Sequence, residues 1–229
     1  RRSSDLFSLG IIGTVLTLLS MMFIGPFVTT ISDGFGGIVQ WLVNARLLPL
    51  VALIVEPAKV LFLNNALNIG VLAPLGAAAA QSTGRAIHFM LESDPGPGLG
   101  MLLAYWVAGK GMLKDSAPGS IIIHFLGGIH EIYFPYVLAH PVMILSMIAG
   151  AILANTWWTI TGAGLVATPS PGSIFAYLAM TPKGWHMQVL VGVLLGAVGS
   201  FVVGWLLLKR FPVKEEEEVE AEEEVLESE

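Results

Sequence analysis

Apolar and polar positions separate along this chain into long blocks. Residues 6–28 form the first block, and its polar members are only Ser8, Thr14, Thr17 and Ser20. As a helix it is about 34 Å long, enough to cross a hydrocarbon core of about 30 Å. Residues 189–208 form the last block, with Gly192, Gly196, Gly199 and Gly204 spaced for close helix packing in lipid. Residues 132–160 are also long enough to cross, with kinks expected at Pro135 and Pro141.

The middle is broken. Residues 36–63 are apolar but carry Asn44, Arg46, Pro49, Glu56, Pro57 and Lys59. Residues 70–80, 99–107 and 174–180 are too short to span. Residues 120–129 are half-length and end at Gly127-Gly128, which predicts a re-entrant hairpin. Asp94-Pro-Gly-Pro-Gly98 reads equally well as a loop or as a broken helix entry. Open backbone is not tolerated against lipid but is tolerated along a protein-walled cavity. Interrupted helices therefore point to a transporter-like binding site.

Composition agrees. Of 229 residues, 55% are hydrophobic and 12% charged, against about 25% charged in a soluble domain. Ten of the seventeen acidic residues crowd into residues 215–229, a stretch that reads as a solvated tail. Residues 1–214 hold all eleven Lys and Arg against seven acids, a net of +4. There is no cysteine. This excludes disulfide-stapled, Cys-zinc, iron–sulfur and thiol-enzyme classes. No Lys/Arg cluster exceeds two residues, so nucleic acid is not an expected partner. The chain opens Arg-Arg-Ser-Ser without Met, which reads as a fragment or processed product. Basic residues flank both terminal blocks, placing both ends in the cytoplasm and implying an even number of crossings.

Ionisable groups in apolar surroundings are the candidate chemistry. Glu56 and Lys59 are three apart and can pair on one helix face. Asn64 and Asn68 share a face, with Asn65 beside them, and amides both donate to and accept from hydroxyls. Helix–helix glue is the other reading of these amides. His124, His130 and Glu131 form the second group. A carboxylate there can take hydroxyl protons of a polyol in charge-assisted bonds. Position 134 is Phe, so the two-histidine zinc motif is missing and no metal or other cofactor is expected. A structural role is the plainer reading of His124. Arg85, His88, Glu92, Lys110, Lys114, Asp115 and Lys183 read as interfacial anchors or loop charges. P-loop, dinucleotide and hydrolase-triad signatures are absent.

Four strings add a resemblance: Glu56-Pro-Ala-Lys-Val-Leu-Phe-Leu-Asn-Asn-Ala66, Asp94-Pro-Gly-Pro-Gly98, Ile123-His-Phe-Leu-Gly-Gly-Ile-His-Glu-Ile-Tyr-Phe-Pro-Tyr136 and Pro169-Ser-Pro-Gly-Ser173. Over residues 35–210 the chain resembles the membrane (EIIC) component of mannitol-specific phosphotransferase systems, and specifically its C-terminal two-thirds. The resemblance implies an all-α polytopic membrane fold of the glucose-superfamily EIIC kind, with broken and re-entrant helical hairpins. It implies import of mannitol or a related hexitol, phosphorylated by a phospho-IIB partner that is itself charged by IIA. Gly128-Ile-His-Glu131 would supply the site carboxylate, with Glu131 catalytic. His130, Asn64, Asn65, Asn68, Glu56, Lys59 and His124 would bind substrate around it. The family pattern has His after the last Asn, where this chain has Ile69.

The implied organisation is an N-terminal transmembrane segment of the interface part over residues 1–34. A substrate-holding domain over 35–210 and an acidic cytoplasmic linker over 211–229 follow. A homodimer in the lipid of a bacterial cytoplasmic (inner) membrane follows from the same resemblance. Other readings are a truncated fragment acting only as a partner subunit, a transporter for another polyol, and an ion-coupled secondary transporter.

Overall fold

The computed structural model describes residues 2–45 and 47–212, so the glutamate-rich tail lies outside the described residues. Among these residues there are ten α-helices and no strand, only an isolated antiparallel bridge between Ala86 and Leu165. Among the described residues three helices are long and apolar enough to cross a membrane, over Gly10–Phe27, Pro141–Thr161 and His186–Arg210.

The centre is a bundle of α5 (Pro95–Ala108), α8 (Ile144–Thr161) and α10 (His186–Arg210). Gly192, Gly196, Ser200 and Gly204 are buried on α10 and four residues apart, so they form one stripe. The Trp158 indole lies directly on Gly192, and Gly204 meets Ala104 and Ser146. Gly100 of α5 and Gly150 of α8 sit against the backbone carbonyls of Ala197 and Gly196. Lipid tails are as apolar as leucine, so helices in a membrane gain little by hiding apolar area from one another. They associate through close contact, which small residues permit.

Helix α1 (Arg2–Asn44) is a single run of 43 residues, about 65 Å long at 1.5 Å per residue. The expected span over 6–28 is therefore embedded in a longer helix, which also runs through the expected boundary at residue 34. Pro26 does not break it. Its hydroxyls bond back to the helix: Thr14 to the Gly10 carbonyl, Thr17 to Gly13, Thr29 to Gly25 and Thr30 to Pro26. Bonded in this way, they cost little in an apolar setting. Residues 10–27 bury no position within the chain, whereas Val39 and Leu42 are buried against Val51, Val55 and Leu72.

The shorter pieces surround one end of the bundle's interior. Helix α2 (Ala52–Val60) is followed by α3 (Asn64–Leu67), a π-helical turn (Asn68–Leu72) and α4 (Ala73–Thr83). The segment expected to turn back does so. Helix α6 (Gly111–Ile121) continues through a second π-helical turn (Ile122–Leu126) to Gly127-Gly128. The chain returns through a 3-10 turn (His130–Tyr133) and α7 (Phe134–Ala139). Gly128 has φ +78°, and a Cβ there would meet the Ser173 nitrogen at 2.5 Å, so only glycine fits. Tyr136 stitches the two legs, its hydroxyl 2.7 Å from Ser116 Oγ and 2.9 Å from Ser120 Oγ. A short α9 (Ile174–Met180) completes the set.

Two expectations change. The kink at Pro141 is a full break: α7 ends at Ala139, and His140 is extended at φ −140°, ψ 78°. A residue before proline is sterically disfavoured from helical geometry. The Asp94 string is a buried helix start. Asp94 Oδ1 accepts from the Gly96 amide at 2.8 Å, and Pro95 takes the first helical position, where its missing N–H costs nothing.

The packing generates a prediction. In Gly100→Ala the new methyl would strike the Ala197 carbonyl and the Phe201 amide. Overpacking of this kind costs about 1–3 kcal/mol. The thermal midpoint in detergent should fall for Gly100→Ala and stay put for Gly10→Ala, where nothing lies within 4 Å.

Candidate functional site

An ion pair lies at the base of the site. Lys59 Nζ is 2.8 Å from Glu56 Oε1, with both side chains 1% exposed or less. The three-residue spacing on α2 brings them together, as the sequence suggests. The Lys59 charge also acts on Glu92 and Asp94. Glu56 Oε2 and Asp94 Oδ2 are buried without a hydrogen-bond partner, and this ammonium offsets part of that burial.

A cleft with a volume of about 160 Å³ opens beside the pair. Four segments wall it: Asn64, Asn65 and Asn68; Glu92 and Ser93; Gly128, His130 and Glu131; and residues 169–172. Two amide–carboxylate bonds cross it. Asn64 Nδ2 donates to Glu131 Oε1 at 3.2 Å, and Asn68 Nδ2 donates to Glu92 Oε2 at 2.7 Å. The two Asn residues are four positions apart, so both face the cleft from one side of their helix. Each amide keeps its carbonyl as an acceptor, and each carboxylate keeps further lone pairs. Such a wall can take several hydroxyl protons at once and return N–H donors to hydroxyl oxygens.

The histidines form the layer behind. His130 Nε2 lies 3.3 Å from the Gly172 carbonyl and holds the 169–172 wall to the hairpin tip. His124 is fully buried, with Nε2 3.0 Å from the Pro95 carbonyl. The two rings meet edge to face at 4.7 Å, and His124 packs in the same way on Tyr133 at 5.1 Å. Tyr177 donates to the Met90 carbonyl at 2.8 Å, fixing the segment that carries Glu92.

Of the residues singled out in the sequence, Asn64, Asn65, Asn68, His130 and Glu131 thus converge on the cleft. Glu56, Lys59 and His124 do not line it; they are buried behind it. Ile69 is 70% exposed and also lies off the cleft. Glu92 is the residue that the sequence reading misses. Read as a loop charge, it is 8% exposed and lines the cleft. The available signal is its place two residues before Asp94, the cap of a Pro-initiated apolar helix. Ser93 and the 169–172 wall are missed as site residues as well.

The described residues define a helical membrane protein with a carboxylate-and-amide cleft suited to a hydroxylated solute. Comparison with known proteins gives the particular likeness. The chain is 57% identical over 217 residues to the mannitol-specific EIICB component of the phosphotransferase system of Geobacillus stearothermophilus, covering 95% of this chain and 46% of that protein. It is 52% identical over 211 residues to the Bacillus subtilis EIICB component, covering 92% and 44%. It is 51% identical over 215 residues to the mannitol-specific EIICBA component of Escherichia coli, covering 94% and 34%. The chain therefore spans less than half the length of these curated relatives. No family model matches it, and no solved structure matches it.

The buried pair has its own test. Lys59→Met leaves Glu56 buried without a partner, and breaking such a pair costs about 3–5 kcal/mol. The double variant Glu56→Gln with Lys59→Met should recover the part of that loss due to Glu56 but not the part due to Glu92 and Asp94, which still lack the ammonium. Detergent melting of both variants reads the difference.

Proposed function

We propose that this chain is the solute-holding membrane part of a mannitol phosphotransferase system and binds mannitol or a related hexitol in the Asn64–Glu131 and Asn68–Glu92 cleft. The supporting observation is the pair of carboxylates, each steadied by an amide, in residues 1–214, which hold only seven acids. The mannitol-specific names of the relatives give the solute. On this reading Glu131 and Glu92 accept hydroxyl protons of the hexitol, while Asn64, Asn65 and Asn68 supply the remaining hydrogen bonds. His130 shapes the wall. Glu56, Lys59 and His124 act from behind, by balancing charge and holding the hairpin.

The coupled step follows from the resemblance. A hexitol hydroxyl oxygen attacks the phosphorus carried on the cysteine of phospho-IIB. The new P–O bond forms as the P–S bond breaks, the thiolate leaves, and Glu131 takes the hydroxyl proton as general base. IIA then recharges IIB. The protein sits multi-pass in the bacterial cytoplasmic membrane. It forms a homodimer in which residues 10–27 belong to the interface part.

Glu131→Gln keeps shape and one carbonyl acceptor but removes charge. Hydrogen bonds to a charged group contribute about 1.5–3 kcal/mol, against about 0.5–1.5 for neutral ones. Mannitol affinity should therefore fall about tenfold for each charged bond lost, in Glu131→Gln and in Glu92→Gln alike. IIB-dependent phosphorylation should fall further than binding in Glu131→Gln alone. Both are measured by labelled-mannitol binding and phosphoryl transfer in the complete protein. Wild-type affinity in both variants would remove the cleft from the reaction.

A further inference from the structure

A second cavity lies away from the cleft and has the opposite character. Its volume is about 330 Å³, and Leu48, Ala79, Ile87, Trp158 and Ala163 make it apolar. It sits where α8 ends at Gly162 and α10 begins after Trp185, at one end of the membrane-crossing bundle. Trp157, Trp158 and Trp185 gather there in one cluster, with Trp158 fully buried.

One cation stands at this cavity. Arg85 Nε donates to the Gly162 carbonyl at 2.8 Å, and the guanidinium lies over the Trp185 ring at 3.6 Å. The stack and the bond fix its position. It has no carboxylate partner among the described residues, and no acidic residue lines the cavity. A guanidinium has five N–H donors, and one is used here, which leaves a fork suited to a phosphate. His88 lines the same cavity, is 9% exposed, and its Nδ1 has no hydrogen-bond partner.

We propose that this cavity binds an anionic phospholipid, with the phosphate on Arg85 and an acyl chain among Leu48, Ala79, Ile87 and Trp158. Most of the wall is apolar, so a hydroxylated solute or a free phosphate would leave it unused. A lipid anion satisfies both halves at the depth where head group and chain meet. The proposal stands independently of the function assigned to the polar cleft.

The test is lipid retention by the complete protein in detergent, counted by native mass spectrometry. The lipids are dioleoyl phosphatidylglycerol and dioleoyl phosphatidylcholine, with glycerol 3-phosphate as a chain-free competitor. Wild type should hold phosphatidylglycerol at least about tenfold more tightly than phosphatidylcholine. Arg85→Gln should lose that preference, and Arg85→Lys should keep part of it. Ala79→Leu, which fills the cavity from α4 without touching the cation, should weaken both lipids. Glycerol 3-phosphate should not displace the lipid. Equal retention of the two lipids by wild type would overturn the proposal. So would an unchanged preference in Arg85→Gln, unchanged retention in Ala79→Leu, or displacement by glycerol 3-phosphate at matched concentration.

Discussion

The Lys59–Glu56 pair is the constraint on which the rest of the site depends. Burying a single ion costs several kcal/mol even after the protein relaxes, and a membrane interior offers little water to soften that. The cleft nevertheless holds Glu92 and Glu131, with Asp94 and Glu56 buried nearby. One ammonium, itself completely buried, acts on Glu56, Glu92 and Asp94 together. It therefore does more than pair with its neighbour on α2. Its charge favours the ionised form of the cleft-lining Glu92 as well, against the burial that opposes it.

A charge so placed is useful only if the backbone brings the right atoms to it, and here broken helices do that. The two π-helical turns carry Asn68 and His124, and the hairpin tip turns at Gly128 against Ser173. Wide helical turns recur at functional sites because they displace side chains from the regular register. Each interruption exposes backbone groups that lipid could not satisfy, so the interruptions must be enclosed by protein. The glycine stripe of α10 supplies that enclosure by letting α5 and α8 approach closely. The rigid bundle and the irregular cleft are thus two parts of one solution.

This division explains what is legible in the sequence. The long apolar blocks, the hairpin turn at Gly127-Gly128 and the Glu56–Lys59 pair follow from local rules of length, glycine geometry and helix spacing. The convergence of Asn64, Asn68 and Glu131 is legible because amides and carboxylates are expensive in apolar surroundings. Glu92 is not legible in this way. Its sequence neighbours Leu91 and Ser93 give no periodic pattern. Its place is set by Asn68, 24 residues away, and by the Tyr177 bond to Met90, rather than by its own segment. The length of α1 escapes a sequence reading as well. Polar residues and glycines from Thr29 to Gly37 interrupt the apolar run, yet the helix continues through them.

The two amide–carboxylate bonds show how such a cleft stays open to a solute. Glu92 lies within reach of the Lys59 charge, and an unrestrained carboxylate would be drawn toward it. Asn68 holds it by a 2.7 Å bond from the cleft side, and Asn64 holds Glu131 in the same way. A neutral amide is the right restraint. It orients the carboxylate without neutralising it, whereas a second lysine would satisfy the charge and leave little for a solute to gain. A hydroxylated ligand exchanges bonds to water for bonds to these carboxylates, and only the charge-assisted ones gain more than about 1.5 kcal/mol each. On the proposed function, selectivity then rests on where the two carboxylates stand. Their positions are set by two asparagines, one helical turn apart, that donate to them.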